Sequence, residues 1–370
     1  MNLTYYIFLL FFVGEYLYGQ NSSRFNNQML SADVNLGYNL SRIKSNYIFA
    51  EQMPYSFQIN WHKANYHDQK RLNNYSYSDF GISFLYHNFR DDVLGKNFGL
   101  YGFMSYYLLK PQQKFQLSFR ISQGIAYNTH PYDKQQNSKN QLFGSHWLFP
   151  FDIGLYLKSP KIYQNWRLQL GLAIFHYSNG NLQSPNYGAN IPSMTIGLLY
   201  DRRSDEILPK KQTPEYDKTW QYLGFLRFGI NESDYYDSGQ FPFFIPGFQV
   251  EKHLNFRHKI NFGVELFVSY FLKEQIRYEH YAMPEYHLDD IPDFKRIGIY
   301  AGHEFYYKKF GIDISAGYYI YYPYNFETRF YNRLATKYYL NKHWRLLYGL
   351  KVHGINRAEA MEFGVMYRIF

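Results

Sequence analysis

The chain has 370 residues, 42 of them tyrosine and 34 phenylalanine, with 39 lysines and arginines against 30 aspartates and glutamates and no cysteine. The missing thiols exclude disulfides and thiolate metal sites, and beyond the first segment no run of eighteen apolar residues is present to cross a bilayer as a helix. A negative mean hydropathy combined with 22% aromatic residues is unlike an ordinary soluble domain and fits an all-β, transmembrane antiparallel β-barrel of the outer-membrane type, with aromatic girdles and alternating wall residues.

Residues 1–19 read as an export signal, with an apolar core from Tyr5 to Val13 that is too short to span and a small residue, Gly19, before Gln20. Residues 20–370 then form the barrel. Removing 1–19 deletes Glu15 and no other charged residue, so the net charge rises from +9 to +10. That surplus either attracts anionic lipid headgroups or is scattered solubilising charge.

Strict alternation of apolar and polar residues predicts about 12–16 strands, sixteen by direct reading. They lie near 27–41, 54–62, 78–89, 95–109, 113–126, 147–159, 163–178 and 191–202, then 219–231, 243–252, 258–271, 295–308, 310–322, 328–341, 344–354 and 358–370. In 258–271, Ile260, Phe262, Val264, Leu266 and Val268 share one face, and Asn261, Gly263, Glu265 and Ser269 share the other. Apolar residues facing lipid and small or charged ones facing a wet interior explain this pattern. With the N-terminus periplasmic, the tight turns near 110–112, 160–162, 309 and 342–343 fall on the periplasmic side. The longer loops 127–146, 179–190 and 272–294 fall outside. Links 63–77 and 203–218 are longer periplasmic connections. The latter is charged, carries two prolines and is the one possible internal boundary. It separates two eight-stranded halves or, as we expect, is a long turn in one larger barrel, since two barrels would need two closures. The chain ends in Tyr367-Arg368-Ile369-Phe370, resembling the terminal strand by which outer-membrane barrels are recognised for assembly.

Chemistry concentrates in His176-Tyr-Ser178-Asn179-Gly180 and the residues up to Asn190. A strand puts residues i and i+2 on one face, so His176 reaches the Ser178 hydroxyl. Trp166, Leu168, Leu170, Leu172 and Ile174 have the same parity, which places the pair on the lipid-facing wall near the outer headgroups. Asn190 shares that face if the returning strand starts early. His176 would take the Ser178 proton and return it to the leaving alcohol, with Asn190 orienting the imidazole. Backbone N–H groups near Asn179 and Gly180, helped by the Asn186 amide, would form an oxyanion hole, in a loop shaped by Pro185 and Gly188. The competing reading makes the same residues an interfacial strand cap followed by a turn.

The pattern His176-Tyr-Ser178-Asn179-Gly180 with Pro185-Asn186-Tyr-Gly188 resembles the PagL-type lipid A 3-O-deacylase family. The resemblance implies an outer-membrane barrel that removes an acyl chain from lipid A with an exterior His-Ser pair. It carries the nucleophile to Ser178, the base to His176 and the oxyanion asparagine to Asn186, while Asn190 stands where that family has an acidic residue. The window also resembles outer-membrane phospholipase A, which has an asparagine twelve residues after the serine. Asn181 stands where that family has an arginine at its calcium site.

We therefore expect a carboxylic ester hydrolase in the outer membrane of a Gram-negative bacterium, acting on lipopolysaccharide or phospholipid without metal or cofactor. A porin-like barrel is the non-enzymatic alternative, and nothing in the sequence suggests a nucleic-acid partner. His353 faces the lumen, where it could pair with Glu362, although a satisfied lumen hydrogen bond is the better expectation. His280, His287, Asp289 and Asp290 match no metal-ligand spacing.

Overall fold

The computed structural model describes residues 27–40, 53–67, 69–203, 213–233, 235, 237–283, 291–354 and 357–369. The export segment, Phe370, His287, Asp289, Asp290 and most of the 203–218 link lie outside the described residues. Two compact units are present: Met1–Asn179 with Tyr187–Gln212, and Gly180–Asn186 with Thr213–Phe370.

The first unit is built from β1 (Gln28–Gly37), β2 (Tyr55–Ala64), α1 (Gln69–Tyr75), β3 (Ser78–Asn88), β4 (Lys96–Tyr107), β5 (Gln116–Asn128), β6 (Trp147–Leu148), β7 (Phe151–Lys158), β8 (Trp166–Tyr177) and β9 (Ala189–Asp201). Neighbours in sequence pair antiparallel, and β9 closes on β1 with Leu198 opposite Ala32. β6 is a two-residue pairing on the end of β5. The span 147–159, expected as one strand, is broken at Pro150, which has no N–H for the ladder.

Eight strands leave an interior that side chains can fill. Arg120 sits there, donating to Asn60, Ser83 and Ser122. Nearby, Asp201 accepts from both Arg167 and Arg203. Toward the end carrying the long connections the filling turns apolar, with Phe89, Leu94, Leu142, Phe143, Phe175 and Tyr177 in one cluster. Outward-facing Leu170 and Leu172 are 57% and 62% exposed, the apolar exterior that lipid covers.

The second unit contains β10 (Trp220–Glu232), β11 (Gln240–His253), β12 (His258–Ser269), α2 (Tyr270–Ala282), β13 (Arg296–Tyr307), β14 (Phe310–Tyr321), β15 (Phe330–Tyr339), β16 (Trp344–His353) and β17 (Arg357–Arg368). Its eight strands also form a closed barrel, with β10 hydrogen-bonded to β17. The expectation of one larger barrel is therefore corrected. The sheet closes twice because β1 and β9 satisfy each other's edges, as do β10 and β17.

The second interior is filled by paired charged side chains. Arg333 bridges Glu265 and Glu362, Lys337 bridges Glu304 and Asp313, and Glu251 accepts from Lys259 and Arg345. His353 faces this interior but bonds Glu359 instead of Glu362, which Arg333 occupies. Two predicted loops hold helices. α1 lies in the 63–77 link, and α2, which includes His280, opens the 272–294 connection. Phe271, Leu272 and Ile276 of α2 are buried with Phe326.

Candidate active site

The antiparallel register of β8 and β9 sets His176 directly opposite Asn190. His176 Nδ1 lies 2.8 Å from Asn190 Oδ1, and Nε2 lies 3.0 Å from Ser178 Oγ. An amide oxygen accepts and cannot donate, so this pairing puts the ring proton on Nδ1 and turns the Nε2 lone pair toward the serine hydroxyl. Ser178 donates, His176 accepts, and the same ring donates on its far side to Asn190. The backbone of Asn190 is itself tied down, its carbonyl accepting from Leu40 N–H at 2.8 Å.

Strand β7 completes the setting. Phe151 is the cross-strand partner of His176, and its ring centroid lies 4.9 Å from the imidazole at a 34° tilt. Phe149 N–H donates to the Ser178 carbonyl at 2.7 Å, a bond made where Pro150 interrupts the β5–β7 ladder. Asn179 is fully buried, and its amide donates to Ser145 Oγ at 3.1 Å. Ser145 Oγ in turn donates to the Trp147 carbonyl. The backbone just beyond the serine is thus anchored to the 129–146 connection.

Gly188 is needed for shape. Its φ is +67°, and a Cβ there would stand 2.8 Å from the Tyr177 carbonyl and 3.3 Å from His176 Cε1. An L side chain would be strained in this conformation and would press on the imidazole. The Gly188 N–H donates to Leu142 O, which holds the return of the loop.

Along the outer wall, Ile174 faces Pro192 and Leu172 faces Met194, so the strip leading away from His176 is apolar and exposed. Ser178 is more enclosed than strand parity implies, with 7% of its surface exposed. Gly180 and Asn186, the other expected oxyanion contributors, mark the ends of the segment Gly180–Asn186 that belongs to the second unit. Phe151 and Ser145 were not foreseen. Phe151 reaches the site through strand register and Ser145 through a contact between loops, neither of which a local motif encodes. Among the described residues no group of three His, Asp or Glu side chains is placed to hold a metal.

Residues 55–198, which include the His176–Asn190 window, match the family model described as Lipid A 3-O-deacylase (PagL). Residues 219–370 match the model described as Acyloxyacyl hydrolase, C-terminal domain. The chain belongs to the PagL lipid A deacylase family. Its membership makes it an outer-membrane β-barrel hydrolase of ester-linked acyl chains on lipid A, with the deacylase match on the first barrel and the C-terminal match on the second. Among solved structures, the chain is similar to the outer membrane enzyme PagL, at 17% identity and a TM-score of 0.31 over 45% of this chain and 97% of that one. It is also similar to the siderophore receptor PirA from Acinetobacter baumannii, at 10% identity and a TM-score of 0.25 over 91% of this chain and 45% of that one. For the KdgM porin the identity is 7% and the TM-score 0.19, over 92% of this chain and 99% of that one. No curated protein matches the chain.

Proposed function

We propose that Ser178 is the nucleophile, His176 the general base and Asn190 the residue that orients the imidazole, and that the bond cleaved is the 3-O-linked acyl ester after which the family is named. Ser178 Oγ attacks the ester carbonyl while His176 Nε2 takes its proton. The tetrahedral oxyanion is met by N–H groups at Asn179 and Gly180 and by the Asn186 amide. Collapse breaks the C–O bond, and the imidazolium returns its proton to the sugar oxygen, leaving an acyl-serine. Water then repeats the sequence, losing a proton to His176 and releasing the fatty acid. Asn190 holds Nδ1–H in place, but as a neutral amide it stabilises the imidazolium less than a carboxylate would.

The hydrogen-bonded series Asn190–His176–Ser178 on the lipid-facing side of β8 supports this reading. Asparagine as third member also supports a second substrate, phospholipid, in the same leaflet. Wild-type and Ser178→Ala proteins expressed in one host, with lipid A and phospholipids compared by mass spectrometry, separate these outcomes. Wild type is expected to shorten lipid A by one acyl chain and Ser178→Ala to leave it intact. Acyl loss from phospholipid instead would establish the second reading, and unchanged lipids with correctly inserted wild type would overturn both.

A further inference from the structure

Phe151 is held from both sides. Its backbone pairs with Gln123 of β5 and with His176 of β8. One residue earlier, the Pro150 carbonyl accepts from Gly124 N–H at 3.1 Å, and before that Phe149 N–H donates to the Ser178 carbonyl at 2.7 Å. The stretch that carries the phenylalanine is therefore tied to the strand of the histidine and to the backbone of the serine. These residues and Asn190 all belong to the first unit.

The edge of the imidazole is taken up by Asn190 at Nδ1 and Ser178 at Nε2, and Gly188 lies beside Cε1. Phe151 lies against the ring itself. With centroids 4.9 Å apart, a tilt of 34° brings ring faces rather than edges together. An aromatic face within about 6 Å attracts a cation through its quadrupole, and more strongly where water is excluded. Both side chains are half-buried, on a wall that meets lipid. When His176 accepts a proton it becomes such a cation, and Asn190, a neutral amide, stabilises it less than a carboxylate would.

We infer that Phe151 is a positioning residue for deacylation whose ring face stabilises the imidazolium of His176. The inference rests on the role of base given to His176 under the proposed function. Phe151 exchanges no atoms: the proton on Nε2 comes from Ser178 Oγ in the first half of the reaction and from water in the second. The neutral imidazole gains only packing from the phenylalanine, whereas the imidazolium gains the attraction of charge to quadrupole as well. The contact is thus stronger in the transition state than in the ground state, and its loss belongs to kcat rather than to KM.

The test uses the full chain in lipid A mixed micelles, with steady-state rates for wild type, Ser178→Ala, Phe151→Leu and Phe151→Tyr. A further series carries mono-, di- or trifluorinated phenylalanine in place of Phe151. Phe151→Leu is expected to lower kcat roughly fivefold with KM unchanged, the size of one partly desolvated cation–π contact. Phe151→Tyr keeps the aromatic face and should restore most of the rate. Fluorine draws electron density from the ring face while barely altering its size, so kcat should fall stepwise with each fluorine added. A ring that served only to pack would show no such trend. Should Phe151→Leu fail to give the heat-modifiable band of a folded barrel, the fluorinated series decides. Wild-type kcat across that series, or a loss confined to KM, overturns the inference. Activity in Ser178→Ala would instead overturn the reading of the nucleophile.

Discussion

His176 has different partners on its two ring nitrogens, and that difference determines what replacing each partner does. Asn190→Ala removes the acceptor at Nδ1, so the ring can rotate and populate the wrong tautomer. Loss of one such hydrogen bond, about 1–1.5 kcal/mol, predicts a roughly tenfold fall in kcat. Asn190→Asp keeps the acceptor and adds a charge that stabilises imidazolium, so its kcat should equal or exceed that of wild type. Steady-state kinetics on the pair check both, and equal losses would show that Asn190 does not act on the ring. The His-x-Ser spacing was legible because the strand period is fixed at two residues, and Asn190 because its parity matched. Phe151 was not legible as a neighbour of the imidazole. Its place depends on how β7 registers against β8, and that follows from closure of the whole wall. The bond from Asn179 to Ser145 likewise joins two loops that nothing in their local sequences pairs.

At the scale of elements, alternation carried almost everything, because one face of each strand meets lipid and the other a filled interior. All sixteen expected strands are present, the sixth divided by Pro150. What alternation could not disclose was the helix after β12. Tyr270–Ala282 contains no glycine or proline, and Phe271, Leu272, Gln275, Ile276 and Glu279 form its buried face. The helical period is visible there, but over 13 residues directly after a strand it is easily read as loop. The outer face of β8 gives a direct test of membrane placement. Leu170→Arg puts a charge on the exposed mid-strand surface, and near the bilayer midplane that costs about 2–4 kcal/mol. Urea unfolding in lipid vesicles should show a loss of that size, and no loss would mean that this face is not against hydrocarbon.

At the scale of the whole molecule, the chain builds two barrels from one repeated device, and both interiors are occupied by interlocking side chains. The double closure was not legible. The 203–218 link marked a possible boundary, but whether β9 returns to β1 or continues to β10 is settled by pairing across more than 160 residues of chain, Leu198 against Ala32. Arg333 tests how the second barrel is held. Arg333→Ala would strand Glu265 and Glu362 without this partner in a buried setting. Breaking a buried ion pair from one side costs about 3–5 kcal/mol, so the midpoint of urea unfolding should fall markedly, and an unchanged midpoint would show that these charges contribute nothing to stability.

The same interior charges also act as a check on assembly. Arg227 on β10 and Arg333 on β15 both reach Glu265 on β12 and Glu362 on β17, so two positive and two negative charges come together when the last strand meets the first. A strand slipped by one residue would turn its arginines and glutamates toward hydrocarbon, and a sheet left open would present them unmatched. Errors of register and failures of closure are therefore penalised by the same residues, Arg227 on the first strand of this barrel and Glu362 on its last.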